Sequence, residues 1–242
     1  MMRAKKRKMR EPFSDRLFNF GNTVFMLLIM VVVIYPVLNV IAISFSNANH
    51  IARADVTVFP RGFTTTSYEY ILKDQQVWTG YLNSVFYALG STFVSLLCTS
   101  LFAYPLTHND FVAKRFLTIF LTVTMFFGGG MIPTYLLMRN IGLIDNPLVL
   151  IVPFSVAAYN VFVFRTFFQN IPRELMESAE IDGANDFTIL FRIILPLSKA
   201  LLATFGLFGI VGSWNSWFNA LIYFQDTDLY PVQLVLRDYL YV

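Results

Sequence analysis

Long apolar stretches, each close to the length of a bilayer crossing, alternate with short polar turns along most of the chain. A helix needs about 20 mostly apolar residues to cross the hydrocarbon layer, and the pattern predicts spans at 23–44, 82–104, 116–138, 147–168 and 200–224. Pro36 lies inside the first, where a kink is expected if the freed carbonyl finds another partner. Pro105 ends the second, just before the polar turn Thr107-His-Asn-Asp110. Within the third, Gly128-Gly-Gly-Met-Ile-Pro133 interrupts the helical run, so Gly128, Gly129, Gly130 and Pro133 are candidates for a hinge or gate, with close helix packing as the competing reading.

Composition turns this pattern into a fold class. The 242 residues are 56% hydrophobic and only 14% charged, with a mean hydropathy of +0.59. A soluble domain carries about 25% charge, so lipid is the expected solvent for much of the surface. An all-α polytopic membrane protein follows: a basic segment over 1–22, then one transmembrane domain over 23–242 that includes a soluble-like region at 168–198. The lone Cys98 excludes an internal disulfide.

Charge sets the expected orientation. Of the 18 Lys and Arg, seven precede the first span, and with the N-terminus inside the cytoplasmic regions hold 13 against five on the other side. A basic cluster ahead of a membrane span reads as a cytoplasmic flank rather than a nucleic-acid site. The apolar run Val24 to Ile43 exceeds a signal-peptide core and lacks a small-residue cleavage site, so it reads as an uncleaved helix. Outside then lies a loop from Ser46 to Gly80, expected to form a short cap with a surface-lying helix.

Between Phe168 and Leu197 the pattern becomes that of a small soluble element. Asn170 and Pro172 open a helix with Glu174 near its positive end. Met176 and Ala179 share a side, Glu177 and Glu180 form an acidic edge, and Asp182-Gly183 supplies a turn in which Gly183 takes a left-handed conformation. A second amphipathic stretch from Ala184 to Ile194 carries Phe187, Leu190, Phe191 and Ile194, and Pro196 stops it. Helices this short need burial against protein, which implies a docking surface; packing on the chain's own bundle is the alternative.

Glu177-Ser-Ala179, then three positions to Gly183, then nine to Ile193-Ile-Leu-Pro196, resembles the cytoplasmic signature of inner-membrane subunits of binding-protein-dependent ABC importers, with Ser178 replacing the first Ala of that signature. Phe127-Gly-Gly-Gly-Met-Ile-Pro-Thr-Tyr-Leu136, Gly142-Leu-Ile-Asp-Asn-Pro147 and Trp214-Asn-Ser-Trp-Phe218 resemble the carbohydrate branch, in particular permeases of the aldouronate type. The resemblance implies a type I permease fold with a sixth helix expected beyond Val242. It also implies that Glu177, Ser178, Ala179, Asp182 and Gly183 couple the chain to an ATPase, with Asp182 capping the second helix or bonding within the turn.

The partners implied are a homologous permease, two ATPase domains, an extracytoplasmic solute-binding protein, a carbohydrate and the bilayer of a bacterial plasma membrane. ATP and magnesium belong on the ATPase subunits: the chain has no Gly-rich loop ending in Lys and Ser or Thr, so it is expected to bind no cofactor and catalyse nothing itself.

Aromatic faces stack on sugar rings and amides bond to hydroxyls, which makes Trp214, Asn215, Trp217 and Asn219 candidates for the substrate path, against interface anchoring and interhelical bonding. Asn83, Ser84, Ser91 and Asn160 are further candidates for a polar seam. His50 and His108, expected in loops, lack companions for a metal site, and few acidic groups lie within spans, which disfavours proton coupling. Two other classes stay open: a scaffold subunit away from the solute path, and a membrane-embedded lipid or glycan enzyme, which would need a nucleophile, base or metal cluster near the interface.

Overall fold

The computed structural model describes residues 13–241, and these are helical with no β-strand among them. Six of the seven cationic residues of the basic segment, and Val242, lie outside the described residues. The chain divides into two compact units, one ending at Lys73 and one beginning at Asp74.

The first unit is built on α1 (Phe13–Ser44), which runs unbroken through Pro36. Its most apolar stretch has no protein cover, so its apolar surface asks for lipid or a partner helix. At its end the chain folds into a small cap holding α2 (Ala48–Ala52) and α3 (Thr66–Lys73). Phe45 stacks on Phe63 and Tyr68 with ring centroids 5.5 and 5.0 Å away. Asn39 donates from α1 to the carbonyls of Val56 and Thr57 at 3.2 and 2.7 Å. His50, in α2 rather than in a loop, meets Asp55 at 3.0 Å, and Arg61 lies 3.6 Å from the same oxygen. The hydrogen bond from His50, more than the nearby charge, holds the Asp55 carboxyl below its ordinary value.

The second unit is organised around α4 (Gln75–Ala103), whose 29 residues extend about 44 Å. Asp74 caps it, accepting from Gln76 N–H at 2.7 Å. A 3-10 turn at Pro105–Thr107 closes it, as Pro105 requires. The third expected span is two helices, α5 (Lys114–Phe126) and α6 (Met131–Asn140), bent by 119° at the glycines.

Residues 147–168, read from the sequence as one span, are instead a 3-10 turn (Pro147–Leu150), an irregular stretch and α7 (Ala158–Gln169). Pro153 cannot donate, and Ser155 turns its hydroxyl back to Val152 O at 2.7 Å, so the backbone finds partners outside a helix there.

The soluble-like region forms α8 (Arg173–Ile181) and α9 (Asp186–Ile189), a π-helical turn over Leu190–Ile194, and α10 (Leu195–Leu197). An 81° bend then leads into α11 (Lys199–Trp214). The last expected span breaks after Trp214 and resumes as α12 (Trp217–Tyr223), followed by α13 (Val232–Tyr241). Two described helices are long and apolar enough to cross a membrane, and four spans result if each bent pair counts as one.

Two cores lie along α4. At its C-terminal end Tyr104 and Leu106 pack with Val161, Phe164, Phe168, Ile189, Leu190 and Ile194. Nearer its middle Tyr87 packs with Met138, Val149, Ala220, Tyr223, Phe224 and Leu234. The α8–α9 elbow and the C-terminal α13 sit at opposite ends of one long helix.

Candidate functional site

The elbow between α8 and α9 is fixed by backbone geometry. Ile181 is the last residue of α8, Asp182 is its C-cap, and Gly183 follows with φ +83°. Gly183 N–H donates to Glu180 O at 3.0 Å, and Ala184 N–H to Ala179 O at 2.9 Å. These are the paired bonds of a Schellman cap, which needs a left-handed residue where Gly183 stands. Asn185 then caps α9, accepting from Thr188 N–H at 2.8 Å and Thr188 Oγ1 at 2.9 Å. Of the two expectations for Asp182, capping the second helix falls to Asn185, and Asp182 belongs to the turn, its N–H donating to Ser178 O at 3.1 Å. Asn170, expected to open α8, instead closes α7 by donating to Thr166 O at 3.0 Å, and Pro172 begins the next helix.

Anchoring and presentation are divided between residues. Met176, Ala179 and Ala184 lie against the core that Ile189, Leu190 and Ile194 fill. Tyr104 ties this region to the end of α4 by donating to Asp186 at 3.3 Å. Glu177, Ser178, Asp182 and Gly183 are exposed, together with Ile181 at 87% and Phe187 at 66%. On the second stretch Phe187 stays exposed, while Ile189, Leu190 and Ile194 fill the core. The result is a rigid, acidic elbow bearing two bare apolar side chains. Glu177 and Glu180 border a groove of about 410 Å³ with Thr107 and Arg173.

The glycine break between α5 and α6 is open rather than packed. A Cβ built on Gly128, Gly129 or Gly130 meets nothing within 4 Å, and Gly130 has φ +81°. Among the described residues no helix packs closely against these glycines. Pro133 falls in the first turn of α6, where its missing N–H costs no helical bond. Thr134 secures that turn, its hydroxyl donating to Gly130 O at 2.7 Å.

The four candidates for a substrate path are only partly brought together. Trp214 packs beside Tyr81 with centroids 6.1 Å apart, and Asn215 closes α11 by donating to Val211 O at 2.8 Å. Trp217 lies under the guanidinium of Arg237 at 4.9 Å, a cation–π contact. Only Asn219 among the four lines a cleft of about 220 Å³, beside Ser216, Ser84, Ser91 and Ser95. Asn160, with Thr92 and Thr99, lines a second cavity of about 310 Å³. Asn83 serves the fold, donating to Asp228 O at 2.7 Å and Tyr230 O at 3.2 Å.

Sequence reasoning passed over Thr92, Ser95 and Thr99. Their signal was available: with Ser84 and Ser91 they recur on α4 at intervals that keep one helical face. Ser155, Ser213 and Ser216 come to the cleft only through tertiary folding.

This architecture has counterparts among known proteins. A permease of Bacillus subtilis strain 168, described as the polygalacturonan/rhamnogalacturonan transport system permease protein YtcP, is 37% identical over 225 residues, covering 93% of this chain and 79% of its own. Protein LplC of the same organism is 37% identical over 230 residues, covering 95% and 78%. The crystal structure of a bacterial ABC transporter involved in the import of the acidic polysaccharide alginate superimposes with a TM-score of 0.90 at 30% identity, over 96% of this chain and 82% of that one. Residues 95–236, which include the α8–α9 elbow, match the model of a single family. The chain belongs to the family of binding-protein-dependent transport system inner membrane components.

Proposed function

We propose that this chain is the permease subunit of an ATP-driven carbohydrate importer, forming half of the translocation path and coupling it to the ATPase subunits. The observation that carries the coupling role is the exposed elbow: a Schellman-capped turn at Gly183, anchored from behind by Ala179 and Ala184, that presents Glu177, Ile181 and Phe187 outward. Short helices held this firmly at a bundle's end transmit displacement rather than absorb it. Ser178 and Ala179 keep the approach close, and Glu177 and Asp182 offer carboxylates to cationic or polar groups of the partner.

On this reading the elbow faces the cytoplasm, as the distribution of Lys and Arg favours, and the cell membrane is the chain's location. ATP and magnesium reside on the partner ATPases, and this subunit performs no chemistry of its own. A second, homologous permease completes the path, and an extracytoplasmic binding protein delivers the sugar. The relatives supply the carbohydrate class: their names specify polygalacturonan/rhamnogalacturonan transport and alginate import. The glycine break at Gly128 to Gly130 acts as a hinge between two half-helices whose relative angle changes during the cycle.

The test is uptake by the assembled importer carrying Gly183→Ala, with substrate capture by the binding protein measured in parallel. Coupling through the elbow predicts lost uptake with capture intact. Undiminished uptake would remove the coupling role.

A further inference from the structure

Hydroxyls on the helices of this bundle ordinarily bond back to their own helix. Ser100 donates to Leu96 O at 2.7 Å, Thr118 to Lys114 O at 2.7 Å, Thr166 to Phe162 O at 2.8 Å and Thr204 to Ala200 O at 2.8 Å. Thr92 and Thr99 depart from this habit. Both are buried, 7% and 1% exposed, and the Oγ1 of each has no hydrogen-bond partner among the described residues. A buried hydroxyl left unpaired is costly, so an orphan of this kind asks for an occupant.

Thr92 lines both cavities described above, of about 220 and about 310 Å³, and Ser95 and Gly209 are likewise common to the two. At Gly209 α11 packs directly on Thr92 of α4, where the two cavities adjoin. A Cβ built there would lie 2.9 Å from Thr92 Oγ1 and 3.1 Å from its methyl group, so any larger residue would push the Thr92 side chain from its place. Aromatic residues contribute to both walls: Tyr87 and Phe154 to the first cavity, Tyr159 and Phe208 to the second. Every residue lining either cavity is neutral.

We propose that the Thr92–Ser95–Gly209 junction is a hydroxyl-binding subsite, within this subunit, for one uncharged sugar unit of the transported oligosaccharide. Hydroxyl donors and acceptors match a sugar's hydroxyls, and the aromatic walls match the apolar faces of its ring. A uronate carboxylate entering these cavities would lose its water without gaining a cation. An acidic unit is therefore disfavoured, although named relatives act in systems for acidic polysaccharides. This inference rests on the carbohydrate reading above and adds the place and charge class of the contact.

The complete importer is reconstituted in liposomes, and uptake of cellotriose, xylotriose, arabinotriose and trigalacturonate is measured below saturation, per assembled complex. Wild type is expected to take up at least one neutral trisaccharide. Thr92→Val keeps the shape and removes the hydroxyl; loss of one hydrogen bond predicts uptake about tenfold lower. Thr92→Ser is expected to restore it, while Gly209→Ala, which removes no polar group, also lowers it by displacing the Thr92 side chain. Ser100→Ala, whose hydroxyl bonds its own helix, serves as the control and retains uptake. Uptake by Thr92→Val within twofold of wild type overturns the subsite and leaves the carbohydrate reading standing; if its melting temperature alone falls, the orphan hydroxyl holds an internal water. Uptake confined to trigalacturonate overturns the charge class. Wild-type uptake of none of the four overturns the carbohydrate reading and the subsite with it.

Discussion

The carboxylate of Asp145 accepts hydrogen bonds from the backbone N–H groups of Gln225 at 2.5 Å and Asp226 at 3.0 Å, so one side chain closes the turn after α6 onto the turn after α12. Asp145 N–H adds a third bond, to Tyr223 O at 3.1 Å. The residue sits at φ +54°, in the left-handed region that Asp and Asn enter more readily than other residues with a Cβ. Asp145→Ala removes two charge-assisted bonds while keeping the strained backbone. Because the site is exposed, water takes over part of the loss, and a destabilisation of about 1 kcal/mol is expected. Asp145→Asn retains an acceptor and the backbone preference, so its melting temperature in detergent should stay closer to wild type. Equal melting temperatures for the two variants would reject the clamp.

The surrounding segment shows what a sequence exposes and what it hides. In Gly142-Leu-Ile-Asp-Asn-Pro147, Gly142 at φ +75° is the left-handed residue of a Schellman cap, with Leu143 N–H donating to Met138 O at 2.9 Å. Asn146 caps the following 3-10 turn through Leu148 N–H at 2.9 Å, and Pro147 takes its first position. These three roles are local, and their residue types announce them. Asp145 reads as one more turn residue because its partners lie far along the chain. Gly183 is legible for the same local reason as Gly142. Trp217 is not, because the Arg237 guanidinium that covers it arrives through the packing of α13. Apolar length alone also overstates 147–168 as a helix, since Pro153 and Ser155 satisfy the backbone differently there.

Packing of α13 on α4 depends on a missing side chain. A Cβ on Gly80 would come within 3.1 Å of Val232 Cα and 3.2 Å of Val232 N, both backbone atoms that cannot rotate aside. Next to this contact Ser84 Oγ accepts from Val232 N–H at 2.9 Å, and Tyr239 donates to Asp74 at the start of α4. Gly80→Leu is expected to displace α13, raising amide exchange across 232–241 while the α8–α9 elbow stays protected. Gly80→Ala should do so to a smaller degree. Unchanged exchange in Gly80→Leu would mean that α13 is held independently of this contact.

The cap at the end of α1 carries an acid-sensitive contact. Asp55 has a carboxyl pKa below its ordinary value of 3.8, chiefly through the hydrogen bond from His50, with Arg61 adding charge attraction. A carboxylate whose pKa is lower folded than unfolded stabilises the fold above the unfolded value, and that contribution disappears as pH falls through the folded value. The loss therefore belongs below about pH 4, not near neutrality. Pepsin cleavage within 46–64 should accelerate between pH 4 and pH 2 in wild type. In Asp55→Asn the same segment should be cleaved faster already at pH 4, with a shallower further rise. Parallel profiles for the two proteins would show that Asp55 does not hold the cap.

Substitutions at Gly183 separate the cost of a strained backbone from the cost of a blocked surface. A Cβ there meets nothing within 4 Å, so the chain itself has room, and the penalty for alanine comes from φ +83° alone, about 1 kcal/mol. Asparagine enters this region more easily and should cost less, whereas valine, branched at Cβ, should cost more. Melting temperatures of the permease alone should therefore fall in the order Asn, Ala, Val. Uptake follows a different order if the elbow seats tightly in a partner: the larger asparagine then impairs transport at least as much as alanine does, despite its milder effect on folding. Measuring both quantities on the same three variants decides the matter. If uptake merely tracks melting temperature, Gly183 is needed for the turn and nothing more, and the open space beside it is not a seat for another subunit.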